Sequence, residues 1–251
     1  MLTPHENPLD RAVALIRNAG HVIAFTGAGI SVESGIPAFR GEEGLWKRYD
    51  PRCLEIDYFH SHAGEAWRVI REIFYDFFTG AKPNAAHRAL ADLEAHGRLR
   101  AVITQNIDNL HQEAGSRVVH EFHGNSQVLL CLRCGQRVPA RAVDLTQLPP
   151  LCSCGGMYKP DFVFFGEMIP EKARAASFLE AERADVLLLV GTTGEVMPAN
   201  LVPESAKRHG AAVIEINTAP SLHTPRVTDI YLEGKATEVM QALRDAVLAQ
   251  K

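Results

Sequence analysis

Long apolar runs are missing from this chain. The longest, such as Val186–Val190, are of strand length, far short of the roughly 18 residues of a membrane-spanning helix. An excess of one charge is missing too. Lys and Arg number 26 against 30 Asp and Glu, a net charge of −4, so the whole chain lacks the basic balance of a nucleic-acid binder. Internal repeats and low-complexity tracts are absent. Cysteine is scarce, five in 251 residues; the odd count and the clustering of four argue against a disulfide framework, and a chain this long buries a sizeable core without one. The first ten residues are polar and contain proline, so no signal peptide is expected and the expected location is the cytoplasm. The composition that remains, 46% hydrophobic and 22% charged, is that of a globular protein, neither disordered nor fibrous.

Asn7 and Pro8 suit the N-cap and first position of a helix. Leu9, Val13, Leu15, Ile16 and Ala19 give it an apolar side, and Gly20 ends it. Next comes a buried-type strand, Val22–Phe25, running into Thr26-Gly27-Ala28-Gly29-Ile30-Ser31. Strand, glycine loop and helix start are the layout of a dinucleotide-binding crevice. Ala101–Thr104, Val186–Val190 and Ala212–Ile216 read as further buried parallel strands, with Asp229–Leu232 at an edge. Helical stretches lie between them, at Ala85–His96, Glu171–Glu182, Val202–His209 and Thr237–Lys251. The alternation predicts an α/β fold with a doubly wound parallel sheet. Two segments break it. Residues 42–80, rich in aromatics, read as a helical insertion beside the glycine loop. Residues 125–160, which hold the cysteine cluster, read as a small inserted module. The large domain is then 1–41, 81–124 and 161–251.

Cys131 and Cys134 are separated by seventeen residues from Cys152 and Cys154. Two short-spaced pairs at that distance suit a tetrahedral zinc site. Four thiolates leave the ion no open position, which makes its role structural and argues against a zinc hydrolase. Cys53 stands alone and is read as a packed or partly exposed thiol without a role. The module is mildly basic, with Arg133, Arg137, Arg141 and Lys159 against Asp144. A zinc-ribbon nucleic-acid module is therefore a rival reading, but it has few aromatics to stack bases and leaves the large domain unexplained. Nucleic acid and membrane are not expected partners.

The run Thr26-Gly27-Ala28-Gly29-Ile30-Ser31, with Ser34-Gly35-Ile36-Pro37 and Phe39-Arg40-Gly41, resembles the cofactor loop of the sirtuins. Thr104-Gln105-Asn106-Ile107-Asp108-Asn109-Leu110-His111 resembles their second motif and His123-Gly124 the catalytic one. Phe162-Val163-Phe164-Phe165-Gly166-Glu167 resembles the substrate loop. Gly191-Thr192-Thr193, Val196, Pro198-Ala199 and Asn217 resemble the adenosine-side motif. The likeness runs from about Asn7 to about Gln250.

The resemblance implies a Rossmann-like domain with a small zinc-bearing domain. It implies NAD as co-substrate and removal of acyl groups from protein lysine, giving nicotinamide and O-acyl-ADP-ribose. Gly27, Ala28, Gly29, Ile30, Ser34, Pro37, Phe39, Arg40 and Trp46 are implied around the phosphates and ribose. Gln105 is implied at the nicotinamide ribose, with Asn106, Ile107 and Asp108 at the nicotinamide. Gly191, Thr192, Thr193 and Asn217 are implied at the phosphates and adenine ribose, and Ala236 near the adenine. Val163, through its backbone, with Phe164, Gly166, Glu167 and Val196, is implied at the acyl-lysine peptide. His123 is implied as the base that helps a ribose hydroxyl attack, with Asn106 as a second catalytic group; an imidazole titrates near working pH. His120 is expected to be structural and Glu121 a solvated strand residue. A protein ADP-ribosyltransferase using the same NAD site is the alternative.

Two departures stand out. Ala38 occupies a position where many sirtuins carry Asp. The Tyr-x-x-Arg pair of the desuccinylase-like class is missing: Tyr75 is followed by Phe78, and Tyr49 and Arg52 sit too close to the cofactor loop. Uncharged acyl groups are therefore expected as substrates. Trp67, Ile70, Phe74, Phe77 and Phe78 either line an acyl channel or form core. Arg68 and Arg71 are the nearest cations that could overturn this.

Overall fold

The computed structural model describes residues 7–39, 44–78 and 80–249. Arg40, a predicted site residue, and the side chain of Phe77 lie outside the described residues.

Helix α1 (Pro8–Asn18) starts where Asn7 accepts the Leu9 N–H through its side chain, at 3.0 Å. It leads into β1 (Val22–Thr26) and then a 3-10 turn, Ala28–Ser34. An irregular helical stretch follows, with α2 (Ile56–Ser61), α3 (Ala63–Ile70) and a π-helical turn, Arg71–Phe77. After it come α4 (Ala85–Ala95), β2 (Ala101–Thr104), α5 (Leu110–Ala114) and β3 (Val119–Glu121). Strands β4 (Gly124–Cys131), β5 (Arg137–Pro139) and β6 (Tyr158–Phe162) form a separate antiparallel sheet in the order β5-β4-β6. The chain ends with α6 (Glu171–Arg183), β7 (Val186–Val190), α7 (Leu201–Arg208), β8 (Ala212–Asn217), β9 (Ile230–Glu233) and α8 (Ala236–Leu248).

The large sheet has six parallel strands in the order β3-β2-β1-β7-β8-β9. The predicted edge strand is indeed at an edge. Strand side chains alternate between two faces. Val22, Ala24, Leu188 and Ile214 therefore face one core, which α1, α4 and α8 cover. Ile23, Phe25, Leu187 and Val213 face a second, which α6 and α7 cover. The strand order reverses between β1 and β7, where an open α/β sheet leaves a crevice beyond its carboxyl ends.

A third core joins the helical stretch 45–78 to the small antiparallel sheet. Leu45, Leu54, Phe59, Trp67, Ile70 and Phe74 pack with Leu129, Cys131, Cys152, Tyr158 and Phe162 of the small-sheet region. Trp67 Nε1 donates to the Tyr158 carbonyl at 2.8 Å, and the Tyr75 hydroxyl to the Ser126 carbonyl at 2.9 Å. Cys53 is buried in this core, and burial pushes its thiol up to about 12, which keeps it an inert packing group. Among the described residues no helix is long and apolar enough to cross a membrane.

Candidate active site

The crevice at the switch point is built from two loops that cross backbone to backbone. Gly27 N–H donates to Val190 O at 3.0 Å and Gly29 N–H to Gly191 O at 2.8 Å. A Cβ on Gly29 would lie 2.7 Å from Gly191 Cα, and one on Gly27 would lie 2.8 Å from Gly191 O. The glycines of the loop are thus required by the neighbouring loop.

The resulting cleft, of about 450 Å³, brings together residues scattered over the whole chain. Gly27, Ala28, Gly29, Phe39, Trp46, Gln105, Asn106 and Ile107 line it, as do Gly191, Thr192, Thr193, Asn217 and Ala236. So do His123, Val163, Phe164, Gly166, Glu167 and Val196. Four predicted residues stand off its wall. Ile30 is part of the core under α4 and α8, Ser34 accepts from Asn84 Nδ2 at 3.0 Å, and Pro37 and Asp108 are not among the lining residues. The sequence did not single out Val32, Glu33, Leu54, Ile169, Met197 or Gly234, which do line the cleft. Leu54 arrives there from the insertion because its carbonyl accepts the Phe165 N–H at 2.7 Å, a long-range pairing with no local signal.

Behind the cleft floor lies a buried polar network. Asn106 Nδ2 donates to Gly27 O at 3.2 Å and to Ser31 Oγ at 3.1 Å, and Ser31 Oγ donates to Asp108 at 2.7 Å. Asp108 also accepts the Leu110 N–H at 3.0 Å. Burial pushes its carboxyl above the usual range, against these donors. Asp108 thus fixes Asn106 through Ser31. Thr26 Oγ1 donates to Thr104 Oγ1 at 2.9 Å and lies 2.9 Å from His111 Nε2. Burial pulls His111 well below the ordinary imidazole range and His87 down to about 4, so both are neutral packing groups.

His123 lies in the turn between β3 and β4. Its Nδ1 lies 3.1 Å from the Gln105 carbonyl oxygen, which can only accept, so Nδ1 carries the proton and Nε2 the lone pair. Burial lowers its pKa and the Gln105 carbonyl partly opposes that. His123 O accepts the Val163 N–H at 2.8 Å, which locks the turn that carries the imidazole to the Phe162–Glu167 loop. Gly124, at φ +80°, has no room for a side chain: a Cβ there would meet Phe162 Cα at 2.9 Å. His120 is half-buried, its pKa lowered by burial, with Glu180 the carboxylate that opposes this. Glu121 departs from its expected solvation. It accepts from Gln112 Nε2 at 2.6 Å and from Asn125 Nδ2, and burial pushes its carboxyl up.

Trp67, Ile70 and Phe74 are fully packed in the insertion's core, and neither they nor Phe78 is among the lining residues. Phe39, Trp46, Leu54, Ile107, Phe162 and Phe164 form the apolar wall instead. Arg68 is exposed, and Arg71 donates to Asp76 and to the Leu145 carbonyl, both at 3.1 Å. Glycine-loop backbone on one side, Thr192, Thr193 and Asn217 on the other, and this aromatic wall fit an extended, hydroxyl-rich dinucleotide.

The sulfurs of Cys131, Cys134, Cys152 and Cys154 all lie within 4.8 Å of one another. The Cys131–Cys154 and Cys134–Cys152 separations are 3.5 and 3.8 Å. Zinc–sulfur bonds of about 2.3 Å in a tetrahedron set sulfurs about 3.8 Å apart, so the four cysteines fit zinc with no further ligand.

Comparison with known proteins agrees with this architecture. The model of the Sir2 family matches residues 27–198. An NAD-dependent protein deacylase of Pyrobaculum aerophilum is 45% identical over 238 residues, 93% of each chain. One from Thermococcus kodakarensis is 45% identical over 249 residues, 94% of each. Among solved structures, a Sir2 homologue variant in complex with ADP-ribose superposes with a TM-score of 0.90 at 39% identity, over 95% of this chain and 96% of that one. A Sir2–p53 peptide–NAD+ complex superposes with a TM-score of 0.88 at 33% identity, over 94% and 97%. Matched over more than half its length by the family model and over nearly all of it by these relatives, the chain belongs to the Sir2 family.

Proposed function

We infer that the cleft carries out NAD-dependent removal of acyl groups from protein lysine, with nicotinamide and O-acyl-ADP-ribose as products. The chain is an enzyme of the kind its relatives are named for, using NAD as co-substrate and zinc as a structural ion. NAD supplies a ribose carbon that becomes open to attack as nicotinamide leaves. The observation that carries the reading is His123, held with its proton on Nδ1 and its lone pair on Nε2, in one cleft with Asn106 and Val163. A neutral Nε2 takes the proton of a ribose hydroxyl. Asn106, steadied by Ser31 and Asp108, holds the nicotinamide amide, with Ile107 beside it. Gln105 meets the nicotinamide ribose. Gly27, Ala28, Gly29, Phe39, Arg40 and Trp46 serve the phosphates and ribose, with Ile30, Ser34 and Pro37 shaping that loop from behind. Gly191, Thr192, Thr193 and Asn217 serve the adenosine side, where Ala236 faces the adenine.

The substrate is an acyl-lysine peptide. Val163 N–H is already spent on His123, so its carbonyl is the group left for the lysine N–H, flanked by Phe164, Gly166, Glu167 and Val196. The acyl groups are acetyl and other uncharged chains. For the domains we retain 1–41, 81–124 and 161–251 as the NAD-binding part, with 42–80 and 125–160 as insertions. Their shared core supports treating the two insertions as one small body. Four clustered thiolates suit a reducing compartment, in keeping with the cytoplasm.

Mass spectrometry of acyl-peptides with and without NAD tests the reading. NAD-dependent loss of the acyl group, with free O-acyl-ADP-ribose, is expected. ADP-ribose attached to protein would favour the transferase instead.

A further inference from the structure

Lysine is rarely buried unless paired, yet Lys159 on β6 is only 4% exposed. Its side chain does not line the cleft. All three ammonium protons are used. Nζ donates to Phe162 O at 2.7 Å and to Pro160 O at 3.2 Å, and it pairs with Glu167 Oε2 at 2.9 Å. The face of Phe164 covers it, with Nζ 4.0 Å from the ring centroid, well inside cation–π range. The partner oxygen of Glu167 also accepts the Phe164 N–H at 2.7 Å. One cation therefore joins the end of β6 to the far end of the Val163–Gly166 segment without itself lining the cleft.

We propose that Lys159 is a positioning residue for peptide recognition: through the Phe162 carbonyl and Glu167 it holds the Phe162–Glu167 loop in the shape that receives the acyl-lysine strand. The inference rests on reading that loop as the acyl-peptide site. Burial pulls the ammonium below the ordinary lysine range, and the carboxylates of Glu167 and Asp161 oppose this. Without the charge, Glu167 loses its counter-ion and the loop must be ordered by the substrate itself, a cost that enters peptide binding. The glycine crossing of Gly27, Gly29 and Gly191 does not depend on Lys159, so the dinucleotide side is spared.

The test compares Lys159→Met and Lys159→Arg with the wild-type protein on one acetyl-lysine peptide, beside the Kd for ADP-ribose and zinc content. Lys159→Met is expected to raise the peptide KM about tenfold or more, the scale of a lost charged hydrogen bond. The ADP-ribose Kd and zinc content stay unchanged, and Lys159→Arg restores most of the KM. A folded Lys159→Met protein with wild-type peptide KM overturns the inference. So does equal weakening of peptide and ADP-ribose binding that Arg fails to rescue, since that is general loss of structure. Should Lys159→Met not fold, Lys159→Gln keeps a donor for the Phe162 carbonyl but drops the charge facing Glu167. A raised peptide KM then supports the inference and an unchanged one overturns it. A wild-type protein without NAD-dependent deacylation overturns the functional reading and this inference with it, whereas active wild type with insensitive variants overturns this inference alone.

Discussion

The Gln105 carbonyl, 3.1 Å from His123 Nδ1, decides which nitrogen of the imidazole is free to act as a base. The contact joins the loop after β2 to the turn between β3 and β4, just past the β2–β3 pairing, so the loop backbone sets the tautomer. Because burial lowers the pKa of His123, the neutral, basic form is the resting one.

The His123→Ala variant is expected to lose about 100- to 10,000-fold in kcat, the usual range for a general base, while ADP-ribose binding is largely kept. His120→Ala is expected to be mild, since His120 does not line the cleft. In the wild type the active form is deprotonated, so activity falls as pH drops through the lowered pKa. The acid limb of kcat/KM should therefore lie below about 6.5, the ordinary imidazole value. Steady-state kinetics across pH decide it, and a limb above that value would remove His123 as the base.

A second expectation concerns the loop crossing. Gly29→Ala places a Cβ 2.7 Å from Gly191 Cα, so the two loops must part and the Gly29 N–H to Gly191 O bond stretches. Destabilisation of about 1–3 kcal/mol, the cost of overpacking, should come with weaker ADP-ribose binding. Gly64→Ala is the control: it lies in α3 with nothing within 4 Å of its built Cβ, and Ala is the better helix former. Thermal melts with and without ADP-ribose separate the two, and equal behaviour would refute the crossing argument.

Much of this was readable in the sequence because the signals are local. Val22–Phe25 and Val186–Val190 are short apolar runs, and in the structure they lie in central strands buried on both faces. The cysteine spacing and the His123-Gly124 pair mark sites without knowledge of the fold. What was not legible depends on partners far along the chain. Trp67 and Phe74 could line a channel or fill a core, and only their packing against Tyr158 and Phe162 decides for the core. Glu121 read as solvated because nothing nearby shows that Gln112 and Asn125 fold over it. The resemblance implies Asp108 at the nicotinamide, and what the sequence does not show is that the Ser31 hydroxyl and the Leu110 N–H hold its carboxylate just before the left-handed turn at Asn109, φ +66°.

The zinc site and the insertion should fail together. Cys131 and Cys152 belong to the same core as Trp67 and Phe74, so the metal site anchors the wall that carries Leu54 and Phe164. Purified protein is expected to carry about one zinc per chain. Cys131→Ala or strong chelation should abolish that content and alter the near-ultraviolet signal of Trp67 and Tyr158. Activity is then lost through folding and not through chemistry. Active protein without zinc would contradict this.

The acyl group should be uncharged. Among the described residues the cleft lining contains no Lys or Arg; its charged members are Glu33 and Glu167, both acidic. Arg71 is held by Asp76 and the Leu145 carbonyl, and Arg68 is exposed on α3, so neither reaches in. A succinyl carboxylate entering between Phe39, Leu54, Ile107 and Phe164 would lose its water and gain no cation among the described residues. A buried charge left without a partner costs about 3–5 kcal/mol, which predicts kcat/KM for succinyl-lysine about 100-fold or more below that for acetyl-lysine on the same peptide. Butyryl and longer aliphatic chains add only apolar surface against an apolar wall and are expected to be accepted. Competition kinetics on one peptide carrying each group make the comparison directly. Succinyl-lysine as the best substrate would mean that a cation does reach the cleft, and Arg40, Arg68 and Arg71 would be the residues to change next.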